Sequence, residues 1–200
     1  MTIRIPYQSV PETAYPLDNA PWQADYPYKP RVTVALSHDG GSLHLHFRVE
    51  EDTVRAVAPA DNGHVWEDSC CEFFCQLDDQ GYYNFECNAA GTLLIGWGPT
   101  RQGREQAPQD VLKTVAREAS LGRAPFSETK APAVWELHLQ IPVTAFWHHQ
   151  IDTFNDRTLR ANIYKCGDRL RRPHFLSLFP INTDHPDFHR PEFFQEVVCE

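Results

Sequence analysis

Basic charge is what this chain has too little of. Eighteen Lys and Arg stand against 27 Asp and Glu, a net charge of −9, and a protein that tracks a nucleic-acid backbone needs the opposite balance. Long apolar runs are missing too. No stretch of about 18 apolar residues occurs, so no segment reads as a helix spanning a bilayer. The six cysteines contain no CxxC pair and no metal-finger spacing. There is no nucleophile elbow, Walker loop or HExxH motif, and no internal repeat, heptad pattern or low-complexity segment. The opening MTIRIPYQSVPETAYP lacks a basic region followed by an apolar segment, so it is not read as a signal peptide. It reads as a cytoplasmic start or a trimmed one.

What is present points to strands. Sixteen prolines against ten glycines, with 12% aromatic residues, indicate many turns and a β-rich body. Two hundred residues suit one domain with a sizeable core. Arg31–Ser37 alternates, with Val32, Val34 and Leu36 on one face. His38–Gly41 is a turn signal. Ser42–Glu50 alternates again, with Leu43, Leu45, Phe47 and Val49 inward and His44, His46, Arg48 and Glu50 outward. That pair is a β-hairpin. Tyr82–Asn88, Thr92–Gly98, Trp135–Ile141, Arg160–Cys166 and Gln195–Cys199 read as further strands. Residues 99–131 read as a long connection with a strand near Val111–Glu118, and Val143–His149 as one helical turn. The expected fold is all-β: a single antiparallel β-sandwich, jelly-roll or immunoglobulin-like, over 21–200. Residues 1–20 are expected as an irregular arm, with Trp22 as an anchor.

The segment Val65–Leu77, VWEDSCCEFFCQL, reads as one strand with two unlike faces. Ser69, Cys71, Phe73, Cys75 and Leu77 form a small apolar side suited to the core. Trp66, Asp68, Cys70, Glu72 and Phe74 form the other. An indole beside carboxylates on a rigid strand is suited to a sugar ring: the aromatic covers its apolar face and the acids accept from hydroxyls. In the next strand Tyr83, Phe85 and Cys87 face the core, while Tyr82, Asn84, Glu86 and Asn88 form a second polar stripe. The cysteines read mostly as small buried hydrophobes and free thiols.

The order of a WEDSCCEFF strand, a YYNFECNAAG hairpin, a WELHLQIP strand and a RANIYKCGD strand, followed by PHFLSLFPI and PDFHRPEFF, resembles the family 9 carbohydrate-binding modules. The resemblance runs from about Trp22 onward. It implies a sandwich related to the DOMON-like folds, a glycan ligand, and often structural calcium, with no cofactor required for binding. It also implies a secreted or cell-surface location and association with glycan-degrading enzymes. In sugar-binding members an aromatic lies six residues before a glutamate, and Trp66 and Glu72 keep that spacing. The family's late-strand asparagine matches Asn162. The second aromatic of its clamp is replaced by Lys165, with Tyr164 adjacent on the opposite face. Asn84, Glu86 and Asn88 lie in the segment that commonly lines the site. Arg48 is expected to hold Glu72 ionised across the sheet.

Each signal has a plainer reading. Trp66 can cap the core edge, Glu72 can be a structural acid, and the Asn84/Glu86/Asn88 stripe can be an ordinary solvated face. His44 and His46 share a face without an obvious third metal ligand. Asp184, His185, Asp187, His189 and Glu192 invite a metal reading, but the flanking prolines favour a tail buckled onto the sandwich with Phe175, Phe188 and Phe193 as apolar pegs. Two other function classes stand beside glycan binding. One is a glycoside-processing enzyme drawing a carboxylate pair from Glu50, Glu72 and Glu86. The other is a haem- or cofactor-binding DOMON-type domain, for which Met1, the sole methionine, leaves only a bis-His ligand pair.

Overall fold

The computed structural model describes residues 3–130 and 134–200. Residues 1–2 of the expected arm and residue 131 of the expected connection lie outside the described residues. Among the described residues fifteen strands run in chain order: β1 (Ile3–Ile5), β2 (Ala14–Pro16), β3 (Arg31–His38), β4 (Ser42–Glu50), β5 (Thr53–Ala56), β6 (Cys70–Gln76), β7 (Tyr82–Asn88), β8 (Leu93–Gly98), β9 (Glu105–Gln106), β10 (Ala116–Ala119), β11 (Phe126–Lys130), β12 (Trp135–Pro142), β13 (Thr158–Cys166), β14 (Phe175–Ser177) and β15 (Gln195–Cys199). They build a large sheet of order β1-β15-β13-β6-β7-β8-β9, with β14 beside the end of β13. A second sheet has the order β10-β12-β4-β3-β2, and β5 pairs with β11 separately. All pairings between these strands are antiparallel except β1 with β15.

The two main sheets pack face to face, and alternation selects what lies between them. Val32, Val34, Leu36, Leu43, Leu45, Phe47, Val49, Leu137, Leu139 and Ile141 from one sheet meet Cys71, Phe73, Cys75, Tyr83, Phe85, Cys87, Ile95 and Ile163 from the other. Burying side chains of this size contributes about 1.5–3 kcal/mol each for the fully covered aliphatics. All six cysteines are buried free thiols.

Several local expectations change. The N-terminal arm is not wholly irregular: β1 adds to the large sheet beside β15, and β2 edges the second sheet beside β3. Val111 lies in a short helix, α1 (Gln109–Thr114), not a strand; Val111 and Leu112 are its buried residues. The strand expected there begins only at Ala116. The segment 65–77 is divided. Val65–Glu67 is a 3-10 turn and the strand starts at Cys70. Asp68 causes the break. Its buried carboxylate accepts from the Val57 and Ala58 amides at 3.0 Å each and from Asn88 Nδ2 at 2.9 Å, and it pairs with Arg55 Nε at 3.2 Å. A carboxylate so satisfied pins the chain to the neighbouring loop and is unavailable to a ligand.

The outer face of the large sheet is not solvated either. A second apolar cluster covers it, in which Cys70, Phe74, Tyr82, Leu94, Tyr164 and Cys166 from the strands meet Trp22, Ile181, Phe188 and Phe194. Phe175 and Phe193 pack against it, as the expected pegs. Trp22 Nε1 donates to the Thr183 carbonyl at 2.8 Å, so the anchor holds the tail. Asn84, Glu86 and Asn88 are consequently buried, and the solvated-stripe reading is set aside.

Candidate functional site

The tail does not cover the outer face completely. Between it, the 3-10 turn and the β8–β9 connection lies a cleft of about 600 Å³, a volume in the range of small-molecule sites. Its floor is the sheet itself: Glu72 and Phe74 from β6, Asn84 and Glu86 from β7, Leu94 and Gly96 from β8. Its walls carry Trp66 from the turn, Tyr26, Phe175, Asp187, Phe188 and His189 from the covering segments, Arg101 and Arg104 from the β8–β9 connection, and Asp168 just after β13.

Register explains which side chains meet. Glu72 lies directly opposite Glu86, and Phe74 opposite Asn84, across the β6–β7 pair. Tyr164 is the partner of Glu72 on the other side, and Cys166 that of Cys70. All share the outer face. Gly96 pairs with Asn84 and makes room for it: a Cβ there would sit 2.6 Å from Asn84 Oδ1. That oxygen accepts from Arg104 Nε at 2.9 Å, while Asn84 Nδ2 donates to Glu86 Oε1 at 2.8 Å. Arg104 also donates to the Tyr82 carbonyl at 2.7 Å and lies over the Tyr82 ring at 4.1 Å. The Tyr82 hydroxyl in turn meets His189 Nδ1 at 2.9 Å. Trp66 is half-buried and stacks on His64 with ring centres 4.6 Å apart.

The acids share one electrostatic problem. Burial, then the facing Glu86 carboxylate, pushes Glu72 well above the usual carboxylate range, although the Cys166 thiol donates to its Oε1 at 3.0 Å. Burial raises Glu86 to about 7 despite its bond from Asn84 and the nearby Arg104. Burial likewise raises Asp168 to about 6. His189 moves the other way, to about 3, through burial and then the Arg104 and Arg101 charges, so it is neutral. Two opposed carboxyls in low dielectric cannot both ionise cheaply, and at neutral pH the floor offers both an O–H donor and acceptors.

The expected site residues separate into two groups. Trp66, Glu72, Asn84 and Glu86 line one cleft. The others lie elsewhere. Arg48 stands on the second sheet and pairs with Glu50, so it does not hold Glu72 ionised. Lys165 points from β13 to the opposite face from Tyr164. There, fully buried, it pairs with Glu51 Oε2 at 3.0 Å and touches His174 Nε2 at 2.7 Å. Burial lowers its pKa, but Glu51, Cys71 and Cys166 together more than offset that, so it stays charged. Asn162 shares the outer face but is sealed. Its Oδ1 accepts from the Ile163 and Phe179 amides at 2.9 and 3.0 Å, and its Nδ2 donates to the Phe179 carbonyl at 3.2 Å. Tyr164 is buried under Phe188, stacked at 4.2 Å. Asn88 closes the turn after β7 through the Ala90 and Thr92 amides. Arg101, Arg104, Asp168 and Tyr26 carried no sequence signal, because they reach the cleft from loops.

Calcium takes oxygen donors. Among the described residues no three carboxylates lie within 4.8 Å of one another; the two groupings that do, His46/Glu136/His138 and Cys70/Glu72/Cys166, carry nitrogen or sulfur. The tail residues Asp184, His185, Asp187, His189 and Glu192 form no such grouping.

The model for carbohydrate-binding family 9 matches residues 8–199. A solved protein of Bacteroides uniformis ATCC 8492, assigned to carbohydrate binding, is 43% identical over 100% of this chain and 97% of its own, with a TM-score of 0.92. A family 9 module of Caldicellulosiruptor kristjanssonii in complex with glucose is 13% identical, covering 100% of this chain and 96% of that one, with a TM-score of 0.58. The same source gives a family 9 module with cellotriose at 11% identity, 100% and 94% coverage, and a TM-score of 0.56. These last two share the fold. A comparison with curated proteins gives no match.

Proposed function

We propose, for a chain that belongs to carbohydrate-binding family 9, that the cleft over the outer face of the large sheet is a non-catalytic saccharide site. The observation that carries this reading is the joining of an aromatic rim to a buried polar floor. Trp66, Tyr26 and Phe175 offer apolar faces, while Glu72, Asn84 and Glu86 offer polar groups beneath them. A pyranose has the same two-sided chemistry, with C–H faces and an equator of hydroxyls. Fixed pairing between Arg104, Asn84 and Glu86 orients the floor before a ligand arrives, which reduces the ordering cost of binding.

Relatives of the same fold hold glucose and cellotriose, so gluco-configured sugars are the first ligands to test. A binding role beside glycan-degrading enzymes belongs to the same reading. Hydroxyls exchange water contacts for equivalent protein ones, so the affinity expected is no tighter than about micromolar, about −8 kcal/mol. Calorimetric titration with glucose and cello-oligosaccharides, backed by a glycan array, tests it. Binding to wild type that is lost in Glu72→Gln and Trp66→Ala supports the cleft. Absence of binding to any glycan at millimolar concentration, or binding that survives both changes, overturns it.

A further inference from the structure

The floor of the cleft holds a set of metal-ligating side chains of which the saccharide reading uses only Glu72. Cys70 and Glu72 lie two residues apart on β6 and so share its outer face. Cys166 on β13 is the register partner of Cys70. All three are buried, and their two sulfurs and a carboxylate oxygen lie within 4.8 Å of one another. The Cys166 thiol is 3.0 Å from Glu72 Oε1. Glu72 and Cys166 border the cleft, which gives an ion a route in and leaves one side of the cluster open.

A second observation asks for a cation at this place. Glu72, Glu86 and Asp168 line the cleft, yet none of them has an ion-pair partner among the described residues. The nearby cations are engaged elsewhere. Lys165 pairs with Glu51 on the far side of the sheet. Arg104 directs its donors to Asn84 and to backbone carbonyls. Arg101 faces Asp187 at 3.4 Å. A buried carboxylate that is to stay charged needs a pairing cation or a metal, and otherwise takes up a proton.

We propose that Cys70, Glu72 and Cys166 bind one thiophilic divalent cation, with zinc as the ion their chemistry fits. Two thiolates and a carboxylate suit a borderline-soft ion, whereas magnesium and calcium take oxygen sets. Zinc accepts sulfur, nitrogen and carboxylate oxygen in a tetrahedral arrangement, and three protein ligands leave a fourth position for an exchangeable one. Glu72 and Cys166 border the cleft, the side from which such a ligand would come. Binding forms two Zn–S bonds and one Zn–O bond, and the two thiol protons, together with any proton held by the Glu72 carboxyl, leave to solvent, with no change of oxidation state. Side-chain rotation closes the donors to coordination distance. The ion answers the surplus acid on the floor and links β6 to β13 directly.

The test uses the full chain, stripped with a chelator and then titrated with zinc, and in parallel with cadmium as a spectroscopic probe. The expected result is one zinc retained per chain after dialysis, a thiolate-to-cadmium charge-transfer band, sulfur in the zinc coordination shell by X-ray absorption, and a rise in Tm. Cys70→Ala or Cys166→Ala weakens binding by more than the ~100-fold that marks loss of an outer-shell partner. Cys71→Ala, which removes a core-facing thiol, leaves it unchanged. Cys166→Ser provides a milder change if the alanine variants do not fold. No thiolate band in wild type, or equal zinc retention in a folded cysteine variant, overturns the proposal. Loss of zinc only on His138→Ala would do the same, by moving the ion to the outer His46–Glu136–His138 group. Saccharide titration of the chelated protein reads the cleft separately, so failure of either idea is visible without the other.

Discussion

Replacing Glu86 by Gln is the sharpest probe of the cleft floor. In the folded protein Glu86 is raised from 4.5 to about 7, chiefly by burial, and Glu72 opposite is raised as well. The sign follows from proton binding. Between the unfolded and folded values the native state holds a proton that the unfolded chain has released, so unfolding free energy falls as pH rises. This contribution is fully present below about pH 4.5 and is lost as pH climbs through about 7. The span corresponds to an upper bound of about 3 kcal/mol. Wild type alone does not isolate it: the depressed His189 and His174 make stability rise with pH up to the ordinary histidine range. The difference between wild type and Glu86→Gln does isolate it. Urea unfolding of both proteins from pH 4 to about 8.5 should show wild type losing ground to the variant as pH rises. Gln also removes the charge facing Glu72, which relaxes Glu72 and adds to the same trend. A difference that is flat, or that grows in favour of wild type with rising pH, would refute the picture of opposed buried carboxyls.

Other changes test separate parts of the molecule. Trp66→Ala should remove saccharide binding by calorimetry while costing clearly less than the ~3–5 kcal/mol of a core tryptophan, because the ring is half-buried against His64. Lys165→Met should destabilise by about 3–5 kcal/mol in urea melts, since it strands the buried Glu51 carboxylate; Lys165→Trp, which puts an aromatic at the position of the family's second one, should fail to fold and not tighten binding. Gly96→Ala should displace the Asn84 side chain, whose oxygen would lie 2.6 Å from the new Cβ, so weaker saccharide binding and a lower Tm should appear together.

The contrast between the two faces of β6 and β7 explains how far the sequence could be read. Alternation named Cys71, Phe73, Cys75, Tyr83, Phe85 and Cys87 as core, and they are, because the opposing sheet is also an alternating surface and period two reports burial on both. Alternation also placed Glu72, Asn84 and Glu86 together on the other face, where they line the cleft. It could not show that this face is covered. The cover comes from residues more than 80 positions away, around Ile181, Phe188 and Phe194, and proline-rich segments carry no period from which docking can be inferred. Local pattern failed at Trp66 for a different reason: Asp68 is drawn to the Val57 and Ala58 amides, a tertiary pull that ends a strand-like run early. Lys165 shows the limit of matching by position. Parity rightly set it opposite Tyr164, but a lysine on a core face reads as an error until Glu51 is known to lie beside it. The cleft therefore arises where covering segments stop short of a polar patch. Its floor follows from strand register; its walls depend on where Arg104, Asp168 and the tail come to rest.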